Sequence, residues 1–384
     1  MQLNYNILKT DLAEGNNNVE RRLKMLDSNS SLTAECKEAR EEYKEGTQPR
    51  RRHFTLQWHL TARCPNRCKH CYLLDSESYQ SEIENELSLS DCLKVLDDFS
   101  QTITAWNIPG RINFTGGDPL MKQEIFDLIE HTHRKNIMIG ILGNPEYLDE
   151  KTALELKKLG VIRYQVSIDG MEETHDRFRS KGSFKRTLRG IRILNQVGIP
   201  AVVMFTVSKQ NAGELIPVIR LVAEERVAIF DFARLVPTGR GAQLKDEMLN
   251  PTEYRELLLD VLEEYRRLKE RGCTTYFGRK ENLWKLLYWQ LGLLPPLPED
   301  KWTIFDGCDL GISILTVLAD GTVYACRRLP LKIGKVPEES LRDIFMKSPE
   351  LNRMREVEKM DKCSKCELLQ FCRGCPAIPY AVYG

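Results

Sequence analysis

Short apolar runs alternate with amphipathic stretches along most of the chain. Six of the runs have the length and the β-branched and aromatic content of strands: FTLQWHL, RINFTGG, IMIGILGN, RYQVSIDG, AVVMFTVS and AIFDFARLVP. The segments between them, such as LSDCLKVLDDFSQTI and FKRTLRGIRILNQVG, carry apolar residues at helical spacing. Strands that alternate with helices predict βαβ units, a parallel sheet and an α/β fold, either doubly wound or a partial barrel.

The same pattern divides the chain into four parts. Residues 1–53 are polar and charge-rich, include the basic run QPRRRH, and predict short exposed helices or disorder. Residues 54–250 contain the alternating strands and helices, and residues 251–300 predict two further helices that end in a proline-rich linker. Residues 301–384 contain a predicted hairpin with an Asp320-Gly321 turn, followed by a cysteine-rich tail.

Charge and hydropathy exclude several classes of protein. The 384 residues include 56 Lys and Arg against 55 Asp and Glu, so no basic excess predicts a nucleic-acid partner. No run of about 18 apolar residues predicts a membrane span. The amino terminus lacks the apolar core of a signal peptide, so we expect a cytoplasmic protein without a membrane partner.

The cysteines are the first sign of chemistry. A reducing compartment keeps thiols free, so clustered cysteines among the 12 in this chain predict metal ligands rather than disulfides. Three stand alone and are expected to pack as small apolar groups: Cys36, Cys92 and Cys273. The other nine fall into a compact trio, ARCPNRCKHCYL, and a carboxyl-terminal array.

The trio consists of Cys64, Cys68 and Cys71 on a loop after the first predicted strand. A structural zinc site closes with four ligands, whereas three thiolates on a four-iron cluster leave one iron open for another molecule. Other polar signals, GGDP, GN, SIDG and RLVPTGRG, also follow predicted strands. Because the carboxyl ends of parallel strands lie on one face, these segments predict a small-molecule site beside the open iron.

The cysteine trio followed by Tyr72, together with GGDP, resembles the radical S-adenosylmethionine superfamily over about residues 54–245. In that family the methionine amino and carboxylate groups bind the open iron, and an electron from the cluster cleaves the sulfonium to give a 5′-deoxyadenosyl radical. The resemblance implies a partial (βα)6 TIM barrel, which agrees with the six predicted strands.

The resemblance also implies roles for individual residues. The trio would be the cluster ligands and the catalytic centre. Gly116, Gly117 and Asp118 match the Gly-Gly-Glu/Asp motif that holds the methionine amino group, although such a sequence is also typical of an ordinary tight turn.

The remaining cofactor contacts follow in the same way. Ser167 and Asp169 match positions that meet the ribose hydroxyls, with turn capping as the alternative. Arg179 matches an arginine on the methionine carboxylate, with a surface arginine as the alternative, and Asn144 matches the family's strand-three pattern in part. The residues expected to border adenine are Tyr72, Arg234, Leu235 and Val236.

The carboxyl-terminal array has regular spacing. Cys308 precedes a predicted hairpin that ends at Cys326, and the tail reads Cys-x2-Cys-x5-Cys-x2-Cys. Two such pairs alone are compatible with zinc. Together with the hairpin they resemble the SPASM extension, a cysteine-rich iron–sulfur domain with two auxiliary 4Fe–4S clusters, which would bring the total to three clusters. The implied ligand sets are Cys308, Cys326 and Cys375 for one cluster and Cys363, Cys366 and Cys372 for the other.

Two departures from the SPASM pattern leave the fourth ligands open. The last interval, between Cys372 and Cys375, is one residue shorter than in the family, and no further cysteine follows before Gly384. Either the chain continues in the natural protein or the second auxiliary cluster lacks that ligand. In the first auxiliary cluster, the fourth iron is either bound by Cys273 or left open to bind a substrate thiolate.

The resemblance implies an oxidoreductase-like enzyme that matures a ribosomally made peptide. The radical would remove a hydrogen atom from the precursor peptide, and a cysteine sulfur would join that carbon as a thioether. The expected partners are this peptide and an electron donor such as flavodoxin or ferredoxin. Oxidation of a sulfatase residue to formylglycine and modification of tetrapyrrole side chains are the alternatives among enzymes, and a non-catalytic iron–sulfur or zinc interaction protein is the alternative outside them.

Overall fold

The computed structural model describes residues 53–294 and 306–384. The predictions for residues 1–52, which include Cys36 and most of the basic run, lie outside the described residues. The same holds for the proline-rich linker at 295–300.

One mixed sheet of ten strands organises the protein, with strand order β10-β9-β8-β1-β2-β3-β4-β5-β6-β7. Strands β1 to β7 form parallel pairs, β8 pairs in parallel with β1, and β9 pairs antiparallel with both β8 and β10. The strands are β1 (Phe54–Thr61), β2 (Gly110–Gly116), β3 (Met138–Leu142), β4 (Val161–Ser167), β5 (Ala201–Val207), β6 (Ile229–Arg234), β7 (Tyr276–Phe277), β8 (Ile314–Val317), β9 (Thr322–Cys326) and β10 (Leu329–Lys335).

Helices connect the parallel strands and cover one face of the sheet. They are α1 (Tyr79–Glu84), α2 (Leu89–Trp106), α3 (Ile125–Arg134), α4 (Glu150–Lys158), α5 (Glu172–Phe178), α6 (Ser183–Val197), α7 (Leu215–Glu224), α8 (Pro251–Glu270), α9 (Leu283–Gln290), α10 (Leu341–Lys347), α11 (Pro349–Arg355), α12 (Leu369–Cys372) and α13 (Ala377–Tyr383). Short 3-10 segments lie at Pro119–Met121, Ala212–Glu214, Gly239–Glu247, Val357–Lys359 and Cys363–Lys365.

Local sequence explains where the longer helices begin and end. Ser88 caps α2 by accepting a hydrogen bond from the Asp91 amide, and Asn107 ends it in the left-handed region. Asn250 and Glu253 form a reciprocal capping box at the start of α8. These caps satisfy backbone groups that a helix terminus leaves without partners.

The parallel strands are buried on both faces, but the two faces differ in chemistry. In β1, Leu56 and Trp58 belong to the hydrophobic core beneath the helices, whereas Gln57 and His59 are buried on the opposite face. The same period of two recurs in β2, where Arg111 alternates with core residues. The concave side of the sheet, which we call the barrel interior, is therefore polar.

The structure confirms the α/β class, the six predicted parallel strands and the Asp320-Gly321 hairpin. It also shows a strand pairing that the local pattern did not predict. The hairpin continues the same sheet, since β8 pairs in parallel with β1 and brings Thr316 opposite Gln57. The two-residue strand β7 extends the other end of the sheet. Among residues 53–294 and 306–384, none of the helices combines the length and apolar character that a membrane span requires.

Candidate active site at the carboxyl ends of the parallel strands

A cavity opens at the carboxyl ends of the parallel strands and extends into the barrel interior. The structure brings together on its wall all of the residues predicted for the cluster and cofactor except Asp118 and Asp169. Those on the wall are Cys64, Cys68, Cys71, Tyr72, Gly116, Gly117, Asn144, Ser167, Arg179, Arg234, Leu235 and Val236. Segments far apart in sequence thus meet at one place, as the rule for parallel strands predicted.

The three thiols of the trio each lie within reach of one hydrogen-bond donor. The Leu74 amide lies 3.5 Å from the Cys71 sulfur, Asn144 Nδ2 lies 3.7 Å from that of Cys64, and Arg179 Nη1 lies 3.8 Å from that of Cys68. Burial raises the pKa of Cys64 to about 12. A thiolate is thus costly here without a cation, and metal coordination supplies one.

The three thiols form a donor set that an iron–sulfur cluster accepts. Among the described residues, no three His, Cys, Asp or Glu side chains converge closely enough to hold one metal ion. In a four-iron cluster each thiolate binds a different iron, so the sulfurs stand apart. The trio is free of disulfides and partly buried, and its donor set fits an iron–sulfur cluster.

The two glycines after β2 allow the cysteine loop to pass close to the strand. A Cβ on Gly116 would lie 2.2 Å from the Thr61 carbonyl oxygen, and one on Gly117 would lie 2.1 Å from that of Arg63. The Gly117 amide donates to the Thr61 carbonyl at 2.7 Å. The glycines are therefore required by backbone approach whether or not a ligand is bound.

Asp118 lies beside the wall residue Gly143, and its expected contact with the cofactor stays a prediction. Its side chain is fully buried below the cavity wall, where Oδ1 accepts from the Leu120 amide at 3.2 Å and caps the 3-10 segment Pro119–Met121. The other oxygen, Oδ2, has no hydrogen-bond partner among the described residues. Burial raises the pKa of this carboxyl to about 7.

Asp169 lies next to Arg179 and the cysteine loop. Instead of lining the cavity, its fully buried carboxylate accepts from Arg179 Nε at 2.6 Å and from the Thr206 amide at 2.9 Å, and it lies 3.2 Å from His70 Nε2. Burial opposes ionisation, but the charge of Arg179 together with the neighbouring His70 and His175 outweighs it and holds the pKa of Asp169 well below its ordinary value. These contacts fix Arg179 against the cysteine loop, and the expected contact of Asp169 with ribose stays a prediction.

The segment after β6 wraps around the cysteine loop. Arg234 forms an ion pair with Glu281 at 2.9 Å, and the Arg240 amide donates to the Leu74 carbonyl at 2.6 Å. Gly239 approaches so closely that a Cβ there would lie 2.4 Å from the Tyr72 carbonyl oxygen. The backbone predicted to border adenine is thus held beside the trio.

Sequence reasoning missed four ionisable residues on the cavity wall: His70, Lys280, Arg327 and Arg328. His70 lies within the cysteine trio motif, and Arg327 and Arg328 directly follow Cys326. Proximity to these cysteines is the sequence signal that could have placed the three residues near the clusters. The Arg327 guanidinium lies 5.4 Å from the centre of the Tyr72 ring. Lys280, on the segment after β7, carries no sequence signal that sets it apart.

Lys280 is reached by water within the cavity but is enclosed by protein. This enclosure, with the neighbouring charges of Arg327 and Arg328, lowers the pKa of Lys280 to about 7. Its backbone amide donates to Asp231 Oδ1 at 3.1 Å, and Asp231 is the carboxylate that counteracts the shift. The wall therefore carries more positive than negative charge.

A buried polar chain leads from the cavity to the carboxyl-terminal hairpin. The Tyr72 hydroxyl lies 3.3 Å from His59 Nε2, and His59 Nδ1 lies 3.6 Å from Glu82 Oε2. The same Glu82 oxygen accepts from the Ala319 amide at 3.3 Å, next to the hairpin turn. The hairpin is thereby fixed to the loop that carries the trio.

The carboxyl-terminal cysteines form two groups. Burial, together with the nearby Cys375 and Cys326, raises the pKa of Cys308 to about 11. Burial also raises the pKa of Cys372, with Cys366 and Cys363 as neighbours. This grouping is the one that the SPASM resemblance implied.

Lone Cys273 has a different setting. It lies in the turn after α8, packs against the hydrophobic core, and donates its amide to the Leu268 carbonyl at 3.0 Å. Its assignment as a fourth cluster ligand stays a prediction.

Comparison with known families agrees with both cysteine regions. Residues 58–222 match the radical SAM superfamily, and residues 308–376 match the SPASM iron–sulfur cluster-binding domain.

Curated relatives extend the similarity over most of the chain. Fe-coproporphyrin III synthase of Methanosarcina barkeri is 32% identical over 275 residues, which cover 70% of this chain and 67% of the relative. An AdoMet-dependent heme synthase of Oleidesulfovibrio alaskensis is 28% identical and covers 86% of this chain and 84% of its own length. The sporulation killing factor maturation protein SkfB of Bacillus subtilis is 27% identical, with 76% and 63% covered.

Solved structures agree on the fold. Streptococcus suis SuiB bound to S-adenosylmethionine superposes with a TM-score of 0.69 at 17% identity, covering 96% of this chain and 85% of that one. The protein belongs to the radical SAM superfamily and carries a SPASM iron–sulfur cluster-binding domain.

Proposed function

We propose that the protein is a radical SAM enzyme that oxidises a side chain of a carboxylate-bearing tetrapyrrole. The observation that carries the proposal is the cationic wall of the cavity. Lys280, Arg327 and Arg328 share this cavity with the cysteine trio, and among the described residues none of the three has a side-chain ion pair with a carboxylate.

Neighbouring cations without side-chain ion pairs on a cavity wall favour an anionic substrate. Positive groups that repel one another are costly when enclosed, and a bound carboxylate relieves that cost through charge-assisted hydrogen bonds. Coproporphyrin carries several propionate carboxylates on one macrocycle, and the names of two relatives, Fe-coproporphyrin III synthase and AdoMet-dependent heme synthase, denote tetrapyrrole chemistry. This differs from the peptide substrate that the sequence resemblance favoured.

The residues on the wall suit the cofactors of the superfamily. In our proposal Cys64, Cys68 and Cys71 hold a 4Fe–4S cluster, and the molecule bound beside it is S-adenosylmethionine. When bound, these groups supply a 5′-deoxyadenosyl radical that takes one hydrogen atom from a substrate carbon and leaves as 5′-deoxyadenosine.

The protein's own side chains would position the cofactor. Arg179, held by Asp169 through Nε, would offer its terminal guanidinium nitrogens to a carboxylate beside the trio, where Nη1 lies 3.8 Å from the Cys68 sulfur. Ser167 offers a hydroxyl at the end of β4, and Tyr72 with the buried Leu235 and Val236 of the wrapping segment offers an apolar border for adenine. Enclosure of this kind excludes water and protects a reactive radical.

The hydrogen atom accounts for one electron of the oxidation. A second electron must leave the substrate as the carbon–carbon bond to the propionate carboxylate breaks, so that CO2 departs and a vinyl side chain remains. The two carboxyl-terminal cysteine groups would hold auxiliary 4Fe–4S clusters, which supply an electron acceptor at the hairpin end of the cavity. Cys326 directly precedes the two wall arginines, so that end of the cavity adjoins the first group. A flavodoxin or ferredoxin would supply the electron that starts the reaction.

Peptide maturation is the second candidate, because SkfB is named as a maturation protein and matches 76% of this chain. In that case a precursor peptide would enter the same cavity, and the expected product is a thioether from cysteine. An acidic segment of such a peptide would meet the same cations, so the charge of the wall alone does not separate the two candidates.

A turnover assay separates them. Protein with its clusters assembled under anaerobic conditions is incubated with a reductant, S-adenosylmethionine, and either Fe-coproporphyrin III or a cysteine-containing peptide. We expect 5′-deoxyadenosine in step with a mass loss on the tetrapyrrole, and Cys64→Ala abolishes both. A mass loss on the peptide with an unchanged tetrapyrrole would replace the proposal by the second candidate.

A further inference from the structure

The barrel interior continues below the cavity, and two arginines lie there. Arg163 precedes Gln165 by two residues on the same face of β4, and Gln165 lines the cavity. Arg111 lies on β2, on the same face as the wall residue Thr115 and four residues before it in sequence. Both arginine side chains are half-buried.

The interior is shaped around one of these guanidinium groups. Arg163 Nη2 donates to Asn113 Oδ1 at 3.1 Å, and the side chain crosses Gly140 of the intervening strand β3. A Cβ on Gly140 would lie 3.2 Å from Arg163 Nε and 2.6 Å from Asn113 Oδ1. Gly140 therefore leaves the space that Arg163 occupies.

Several buried donors in this region have no acceptor. Among the described residues, Gln57 Nε2, Arg111 Nε and Arg328 Nε lack a hydrogen-bond partner, and Gln57 is 6% exposed. No ion pair joins Arg111 or Arg163 to a carboxylate within the described ranges. Buried donors in native proteins are nearly always paired, so a group of unpaired donors indicates a missing acceptor.

The local electrostatics point the same way. Burial and the charge of Arg111 together lower the pKa of Arg163 to about 10. Burial, followed by the charges of both arginines, lowers the pKa of His53 at the start of β1. An anion between the two guanidinium groups would replace this repulsion by attraction.

We propose that Arg111, Arg163 and Gln57 form a second carboxylate-binding site at the floor of the barrel interior. The inference rests on the proposed function: one propionate of the tetrapyrrole reaches the floor while others meet Lys280, Arg327 and Arg328 on the wall. Contacts at two separate edges fix the rotation of the macrocycle. They would therefore select which side chain faces the cysteine trio.

Binding, measured without turnover, tests the inference. Cluster-loaded protein is added to Fe-coproporphyrin III, and binding is followed by the absorption of the tetrapyrrole. A parallel titration uses the methyl ester of the same tetrapyrrole, which has the same macrocycle without free carboxylates. Arg111→Gln and Arg163→Gln are compared with Arg134→Gln, which removes a surface arginine paired with Glu130 on α3. Circular dichroism of each variant establishes that it folds.

We expect each interior variant to weaken binding of the free acid by about 10- to 100-fold, since one charge-assisted hydrogen-bonded pair is lost. The ester should bind weakly to the unaltered protein and should not distinguish the variants. Arg134→Gln should bind like the unaltered protein. A milder loss in Arg163→Lys, which keeps the charge but not the planar fork, would further support the site.

The failures are distinguishable. If the unaltered protein binds neither compound, the proposed function fails and the inference fails with it. If it binds the free acid but the interior variants match Arg134→Gln, only the floor site is wrong. If inorganic phosphate binds to the interior arginines while tetrapyrrole affinity is insensitive to them, the site serves a free anion and the inference is overturned.

Discussion

Asp169→Asn tests how the site holds Arg179. Asp169 is fully buried and the Arg179 side chain is 15% exposed, with 2.6 Å between Asp169 Oδ2 and Arg179 Nε. The amide keeps the shape of the carboxylate but loses its charge, so Arg179 is left enclosed without a counter-charge. Removing one partner of a buried pair typically costs about 3–5 kcal/mol. We therefore expect a loss of about this size in the free energy of unfolding.

A double-mutant cycle measures the pair itself. Asp169→Asn, Arg179→Gln and the double variant are unfolded in urea, and the free energies of unfolding are compared. Because a charge left alone is the costly state, the double variant should lose clearly less than the sum of the two single losses. If the loss in the double variant equals the sum of the two single losses, the idea that Asp169 acts by holding Arg179 is refuted.

The pair also predicts how stability depends on pH. The pKa of Asp169 is lower in the folded protein than the value of about 3.9 expected for an unfolded chain. Its contribution to stability is therefore complete above that unfolded value and is lost as the pH falls through the lower folded value. Asp169→Asn should remove this part of the acid dependence, and an unchanged profile would contradict the assignment.

Three further predictions concern the cavity and the clusters. Lys280 has a pKa of about 7, and a bound carboxylate would raise it. Affinity for Fe-coproporphyrin III should therefore fall as the pH rises from 7 towards 9, and Lys280→Met should flatten that dependence in titrations. Gly117→Ala should reduce the iron content of the protein, because the new Cβ would meet the Arg63 carbonyl oxygen. Gly213→Ala is the control, since a Cβ at that position meets open space. Equal iron contents in the two variants would contradict the role of Gly117. Cys326→Ala should lower iron and sulfide by one cluster while keeping cleavage of S-adenosylmethionine, and an unchanged iron content would remove Cys326 from the ligands.

Local patterns predicted the parallel strands and the cysteine trio well. Each strand carries its own apolar signal, and Cys64, Cys68 and Cys71 lie within one short motif. The turn at Gly321 was also visible, because a hairpin signal spans only a few neighbouring residues. Such features depend on residues close together in the chain, and a single sequence contains them.

Features that depend on distant pairing were not predictable. The alignment of β8 with β1 joins residues about 260 positions apart in the chain, and no local pattern specifies it. The same pairing brings Arg327 and Arg328 into the cavity, so the cationic wall was missed along with it. Lys280 was missed because its perturbed pKa arises from enclosure, which a sequence does not display.

The settings of two assigned side chains were not predictable for a related reason. The motif placed Asp118 and Asp169 at the correct ends of their strands, but it could not show which way the carboxylates point. The folded chain turns both below the wall, where neighbouring amides and Arg179 bind them. Side-chain direction depends on partners from other strands, and these become known only with the fold.

Hydrogen transfer from the substrate tests the central claim most directly. Fe-coproporphyrin III that carries deuterium in its propionate side chains is incubated with the cluster-loaded protein, reductant and S-adenosylmethionine, and the 5′-deoxyadenosine is analysed by mass spectrometry. Our account predicts that deuterium appears in the 5′-deoxyadenosine together with a change in the mass of the tetrapyrrole. Formation of 5′-deoxyadenosine without deuterium, while the tetrapyrrole keeps its mass, would contradict it.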